Sequence, residues 1–190
     1  MTVLTPPRAA PVDRALADAR RWCAGQVIDD RPALAHAVRV AVVLGEHVTA
    51  PDPDLVAAVL LHDSPEFAPP DLDLDAVLGH RYGPAVVRIV RALEAEHHAL
   101  DTGHPVITVD DLPVLLASTA DKIVALTSLT RRAGKSGDPA AFFAARPALL
   151  DLLEHFAAFA DAGDGRVPAS MTLQLKQVLD TLTATARGAR

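Results

Sequence analysis

Seven consecutive apolar residues, from Leu55 to Leu61, run straight into His62-Asp63, and this junction constrains the chain more than any other segment. A helix built from LVAAVLL is apolar on every face, so it belongs at the centre of a helical bundle. The imidazole and carboxylate at its end then sit against the core. Polar groups there are costly unless they are paired or bound to a metal. Two more polar groups stand in similar aliphatic surroundings, His36 in ALAHAVRVAVVL and Asp121 in TADKIVAL.

The rest of the chain supports a helical reading. It has 190 residues, enough for one domain, and half are hydrophobic, so a sizeable core can form. Only 4% are aromatic, which leaves a core of Ala, Leu and Val and favours packed helices over a sandwich. The net charge of -6, with no strong basic run, argues against a nucleic-acid polymer as partner. It does not oppose a phosphorylated small molecule, because a bound cation can supply the local positive charge. Cys23 is the lone cysteine, so no intramolecular disulfide forms. The opening MTVLTPPRAAPVDR lacks the apolar centre of a secretory signal. No apolar stretch reads as both long and charge-free enough to span a membrane, so a cytoplasmic location is expected. The oligomeric state is left open.

Periodicity and punctuation divide the chain into a loose tail over 1–10 and a single domain over 11–188. Val12, Leu16, Ala19 and Cys23 share one face of a first helix over 11–23. Further helices are expected over 32–47, 54–63, 73–80 and 84–98. Between the second and third of these, Ser64 would cap a short new start, with Pro65 in its first turn. Residues 100–107 read as a loop. Thr108-x-x-Asp111 resembles a capping box that opens a long helix to about residue 132. Two final helices, 140–160 and 170–187, flank AGDGRVP. The expectation is an all-α fold of about eight helices without useful β-alternation.

Each candidate site residue has a plain alternative. His36 faces inward with Ala33, Ala37, Val40 and Val43, where a histidine is more often a core residue bonded to a carbonyl. Adjacent helical residues diverge by about 100°, so His62 and Asp63 can face one ion only at a helix end. The following Ser64-Pro65 break provides that end. Asp121 is surrounded by Ala117, Ser118, Ala125 and Ser128, which leave space beside the carboxylate; a salt bridge to an arginine is the alternative. Two imidazoles and two carboxylates suit Mn²⁺, Fe²⁺ or Zn²⁺ better than Mg²⁺ or Ca²⁺. Such an ion would serve the cleavage of phosphate esters. Glu66, three residues after Asp63, is placed to accept a proton from water. Lys122 would either contact a substrate phosphate or be solvated, the second being slightly favoured. His97, His98 and His104, in the polar EAEHHALDTGHP, read as solvated, and His47, His80 and His155 as surface residues.

The stretches RPALAH, AAVLLHDSPE, LGHRYGPAVVRIVRALE and STADKIVALTSL, in that order, resemble the HD-domain metal-dependent phosphohydrolases. The resemblance covers roughly residues 10–180 and is nearest to the RelA/SpoT-type alarmone hydrolase domain and its small stand-alone relatives. It implies a single HD-domain-like helical bundle in which His36, His62, Asp63 and Asp121 hold one Mn²⁺. Asp63 and Glu66 would then carry the catalysis, with Glu66 matching the first acid of the pair that serves the attacking water. The second acid is replaced by Phe67, the family's aromatic residue after the proline by Ala33, and its ribose-contacting asparagine by Ala125. VIDDRP replaces the basic loop and offers only Arg31. Arg31, Phe67, Lys122 and Ala125 are thus the expected substrate-binding positions. The implied substrate is a small phosphorylated nucleotide, read differently from (p)ppGpp. HDSPEF also resembles the motif of HD-domain 5′-nucleotidases, and a degenerate domain that binds nucleotide or metal without turnover is a third reading.

Overall fold

The computed structural model of the protein describes residues 3–28 and 30–187. Met1, Thr2, Asp29 and the three residues from Gly188, which the sequence reading placed in the tail, the VIDDRP loop and the end of the domain, lie outside the described residues. Eleven helical segments are seen among the described residues: α1 (Ala10–Trp22), α2 (Ala33–His47), α3 (Pro53–Leu61), α4 (Ser64–Phe67), α5 (Leu74–Tyr82), α6 (Pro84–Asp101), α7 (Leu112–Lys135), α8 (Pro139–Ala144), α9 (Pro147–Asp151), α10 (Leu153–Ala162) and α11 (Ala169–Arg187). Eight of them run nine residues or longer, and the fold is all-α as expected. The one β feature is a two-stranded antiparallel ribbon, β1 (Val27–Ile28) with β2 (Arg31–Pro32), in front of α2.

Helix α3 is the centre that its composition requires. Every residue from Leu55 to Leu61 is buried, and α1, α2 and α6 pack around it. Helix α7 is the second axis, packed against α2, α6 and α11. By length and composition alone α7 is apolar enough to cross a membrane, contrary to the sequence expectation. Its most apolar window is 72% buried inside the bundle, as befits a core helix.

Aspartates set where several helices begin. Asp52, Asp73 and Asp138 accept hydrogen bonds from the backbone N–H of Asp54, Ala76 and Ala141, and Pro53 and Pro139 open two of those helices. Two sequence readings of helix starts are corrected. Helix α7 is capped by Asp111, which accepts from the Val114 N–H, and not by Thr108, so it starts three residues later than a Thr108 box would place it. Asp63, not Ser64, holds the cap position of α4. The expected 140–160 helix is broken because Pro147 has no N–H and its ring clashes with the preceding turn. Arg146 before it is driven to φ -135°, ψ 56°, and α8, α9 and α10 result. Between α5 and α6 the chain turns at Gly83 with φ 90°, a conformation that favours glycine.

A buried polar knot ties α1 to α5. Asp18, only 4% exposed, accepts the Tyr82 hydroxyl at 2.6 Å and pairs with Arg81 Nε at 2.9 Å and Arg21 at 3.2 Å. Burial first, then the bond to Asp18, pushes the Tyr82 phenol well above its usual range. Replacing Tyr82 by Phe should lower stability by about 1–2 kcal/mol, because Asp18 loses a buried donor. Thermal or denaturant unfolding measures this, and an unchanged midpoint would show that Arg81 and Arg21 suffice.

Candidate metal centre

Four elements converge on one carboxylate. Asp121 lies mid-way along α7 and is buried. Its Oδ1 is 2.9 Å from His36 Nε2 on α2 and 3.6 Å from His62 Nε2 at the end of α3. Its Oδ2 is 3.1 Å from His97 Nε2 on α6. Asp63 adjoins through its Oδ1, 3.2 Å from His62 Nε2. The ligand atoms of His36, His62 and Asp121 lie within 4.8 Å of one another, and Asp63 flanks this trio through His62. His36 is therefore bonded to a carboxylate rather than to a carbonyl, and Asp121 meets imidazoles rather than an arginine.

The local chain path explains how adjacent residues share the site. Helix α3 ends at Leu61, and His62 (φ -62°, ψ -29°) and Asp63 (φ -87°, ψ 2°) form the turn into α4. Asp63 thus sits in the sparsely used bridge region that often marks site residues. His62 Nδ1–H donates to the Val59 carbonyl at 2.8 Å, which fixes the tautomer of the neutral ring. Its Nε2 then presents a lone pair towards two carboxylates. That Nε2 and Asp63 Oδ2 are both buried with no hydrogen-bond partner among the described residues. A lone pair facing anions in a dry site calls for a cation between them.

The electrostatics agree. Burial would raise the Asp121 carboxyl, but the hydrogen bonds to His36 and His97 and the close approach of the His62 ring outweigh it and hold the group well below the carboxylate range. Burial would lower His62, yet the charge of Asp63 and the adjacent Asp121 carboxylate lift it to about 9. A proton therefore takes the cation's place on His62 when no metal is bound. Cys23, buried at the end of α1, is raised to about 11 by burial and then by the charge of Asp63. At neutral pH it is a thiol, not a thiolate ligand. Two imidazoles with carboxylate oxygens form a donor set that fits a divalent transition metal.

The other expected site residues are distributed as follows. Glu66 stands on α4, three residues beyond Asp63, with an exposed side chain. Phe67 borders a surface hollow with Arg21 and Trp22. Ala125 is half-buried one turn beyond Asp121. Arg31 and His36 line a pocket of about 540 Å³ between α2 and α7, which Phe67, Lys122 and Ala125 do not line. Lys122 is not solvated: it is 3% exposed, pairs with Glu96 Oε1 at 2.5 Å and with Ser118 Oγ at 2.8 Å, and lies over the Phe159 ring.

His97 is the residue that sequence reading missed. Helix α6 continues to Asp101, so EAEHHALD is helical rather than loop-like. His98 and His104 are exposed as expected, while His97 turns inward. The overlooked signal is its spacing: Val86, Val90 and Leu93 precede it at the intervals of one helical face, and all three are buried. Glu96–Lys122 and His97–Asp121 form two neighbouring rungs between α6 and α7. His80 is exposed as expected, but His47 and His155 are half-buried. His47 Nδ1 contacts Ser170 Oγ at 2.9 Å and its Nε2 Gln174 Oε1 at 2.5 Å, and His155 is lowered by burial and by Lys122.

No protein-family model matches the sequence, and a comparison with curated proteins finds no match. Among solved structures the chain is similar to one described as "A metazoan ortholog of SpoT hydrolyzes ppGpp and plays a role in starvation responses". The similarity has a TM-score of 0.67 at 17% identity and covers 93% of this chain and 97% of that one.

Substitution at the centre separates ligands from their support. His62→Ala should abolish most bound metal, read by elemental analysis of the purified protein, and full occupancy would overturn the assignment. His97→Ala should weaken metal affinity by about 10-fold or more, the scale seen when a ligand's supporting partner is lost, whereas His98→Ala should leave it unchanged. The chain thus shares the all-helical fold of the SpoT ortholog over nearly its whole length, and His36, His62 and Asp121 form a cluster that could hold a metal ion within that frame.

Proposed function

We propose that the protein is a metal-dependent phosphohydrolase acting on a small phosphorylated nucleotide, with His36, His62, Asp63 and Asp121 as ligands. The observation that carries this reading is the buried His62 Nε2, locked by the Val59 carbonyl and aimed at Asp63 and Asp121 without a hydrogen-bond partner. A divalent ion bound there supplies positive charge that polarises a phosphate ester and acidifies water. Mn²⁺ is the proposed ion, with Fe²⁺ or Zn²⁺ as alternatives for the same donors.

The chain's own residues supply the rest. Asp121 is held in one orientation by imidazoles on both of its oxygens. Asp63 keeps a buried oxygen unengaged at the turn, where it can orient an attacking water. Glu66, on the next turn and exposed to solvent, accepts that water's proton and releases it to bulk. The SpoT ortholog is described as hydrolysing ppGpp, which supports a nucleotide substrate. Ala33, Phe67 and Ala125 stand where the resembled family reads its alarmone, so the proposed substrate is a related nucleotide rather than ppGpp. Ala33 is fully buried and does not line the pocket beside His36, which fits that shift. The reading includes a cytoplasmic protein that engages neither membrane nor nucleic-acid polymer.

A panel of nucleotides and alarmones incubated with Mn²⁺, scored for phosphate and pyrophosphate release, tests the proposal. Efficient pyrophosphate release from ppGpp would restore the unshifted family substrate, phosphate release from mononucleotides would favour the nucleotidase alternative, and no turnover with metal bound would leave a binding domain. Glu66→Gln keeps the shape but removes basicity. Turnover should fall by about 10²-fold or more with metal binding retained, and unchanged turnover would assign the proton transfer to another group.

A further inference from the structure

His47 stands outside the metal centre, at the last position of α2, in a chain of three polar side chains that the phosphate chemistry does not use. Its Nδ1 lies 2.9 Å from the Ser170 Oγ, and its Nε2 lies 2.5 Å from the Gln174 Oε1. Both partners come from α11, 123 and 127 residues further along the chain. The amide oxygen of Gln174 has no hydrogen to give, so Nε2 carries the proton of the neutral ring and donates it. Nδ1 is left with a lone pair, and the Ser170 hydroxyl donates to it. A hydroxyl aimed at the free nitrogen of an imidazole, whose other nitrogen is held by a third group, is the arrangement that activates a serine as a nucleophile.

The surroundings suit that role. Ser170 is exposed, so an outside molecule can reach its oxygen, whereas His47 and Gln174 are half-buried, which holds the base in place. Ser170 is the second residue of α11, a helix of 19 residues. The Met171 and Thr172 N–H groups turn to the Pro168 carbonyl, at 2.8 and 3.2 Å, while the Ala169 and Ser170 N–H groups have no acceptor among the described residues. These two donors lie at the positive end of the helix dipole and belong to the serine and its chain neighbour, where negative charge develops on an acyl oxygen under attack. Leu173, one turn along α11 from Ser170, is 57% exposed and offers a short acyl chain an apolar seat. Glu46 shares a pocket wall with Gln174, and its carboxylate disfavours an anionic substrate there.

We infer that Ser170 and His47, oriented by Gln174, form a second and metal-independent site that hydrolyses small neutral carboxylic esters with a short apolar acyl chain. His47 Nδ1 takes the Ser170 proton as Oγ bonds to the ester carbonyl carbon. The C–O bond to the alcohol then breaks, and the leaving alcohol takes that proton from Nδ1. Water attacks the acyl-serine while losing a proton to Nδ1, and Oγ recovers the proton as the carboxylic acid departs. Gln174 touches only the imidazole and is a positioning residue that fixes the ring and its tautomer. None of the three belongs to the proposed metal ligands, so the inference stands apart from the phosphohydrolase reading.

The test uses the full chain stripped of metal by a chelator, with p-nitrophenyl acetate as substrate and a fluorophosphonate as covalent probe. Hydrolysis should persist without metal and fall by about 10²-fold or more in Ser170→Ala and in His47→Gln. The fluorophosphonate should add to Ser170, read by peptide mass spectrometry, and the adduct should be lost in His47→Gln. Gln174→Leu should lower kcat with KM unchanged, while Gln174→Glu, which still accepts from Nε2, should keep kcat; a merely structural tie between the helices would not draw this distinction. Exposed histidines hydrolyse activated esters slowly by themselves, so a rate unchanged in Ser170→Ala, or an adduct absent from Ser170, would overturn the site. Ser170 is exposed, so Ser170→Ala remains informative if His47→Gln loosens α2 from α11.

Discussion

One buried carboxylate organises the molecule. Asp121 receives His36 and His62 on one oxygen and His97 on the other, so helices α2, α3, α6 and α7 all meet at its side chain. Such a charge in an aliphatic core is tolerated only because donors surround it. The same donor set fits a divalent cation. The centre therefore joins the meeting point of four helices and a candidate metal site in a single set of groups. Its weak point in the metal-free protein is His62, whose Nε2 faces two carboxylates and depends on a proton or a metal.

The helices around it keep this arrangement in register. The Glu96–Lys122 pair lies one residue along from His97 on α6 and one from Asp121 on α7. It is nearly dry, and Lys122 also rests over Phe159 of α10. A buried pair of this kind contributes less to net stability than to uniqueness, since sliding α6 past α7 would strand both charges. On the far side, His47 reaches Ser170 and Gln174 and fastens α2 to α11. Both flanks of the α2–α7 groove are thus held by side-chain contacts, which keeps the groove open beside the centre.

The legible parts of the sequence were those in which polarity contradicts its surroundings. LVAAVLLHD fixed a central helix and the turn at its end; ALAHAVRV and TADKIVAL placed His36 and Asp121 on the faces that meet it. His97 was hidden because its neighbours Glu94, Glu96 and His98 make the segment look solvated, while the apolar face that carries it lies upstream at Val86, Val90 and Leu93. Lys122 misled for the opposite reason. Nothing local shows that a lysine is buried when its partner Glu96 sits 26 residues away on another helix. The breaks at Pro147 and the cap at Asp111 were encoded locally, and in each the rule for proline or for Asp outweighed the broader pattern.

The α2–α7 groove differs in burial from one end to the other. His62, Asp63 and Asp121 occupy buried positions, and four helices meet at Asp121. Arg39 is exposed, and Arg31 and Arg131 are half-buried at the rim, where side chains can be exchanged with little effect on packing. The chain is acidic overall, yet this rim gathers three guanidiniums around one hollow. Long-range attraction to the whole protein is then weak for any anion, and recognition falls to the contacts inside the groove.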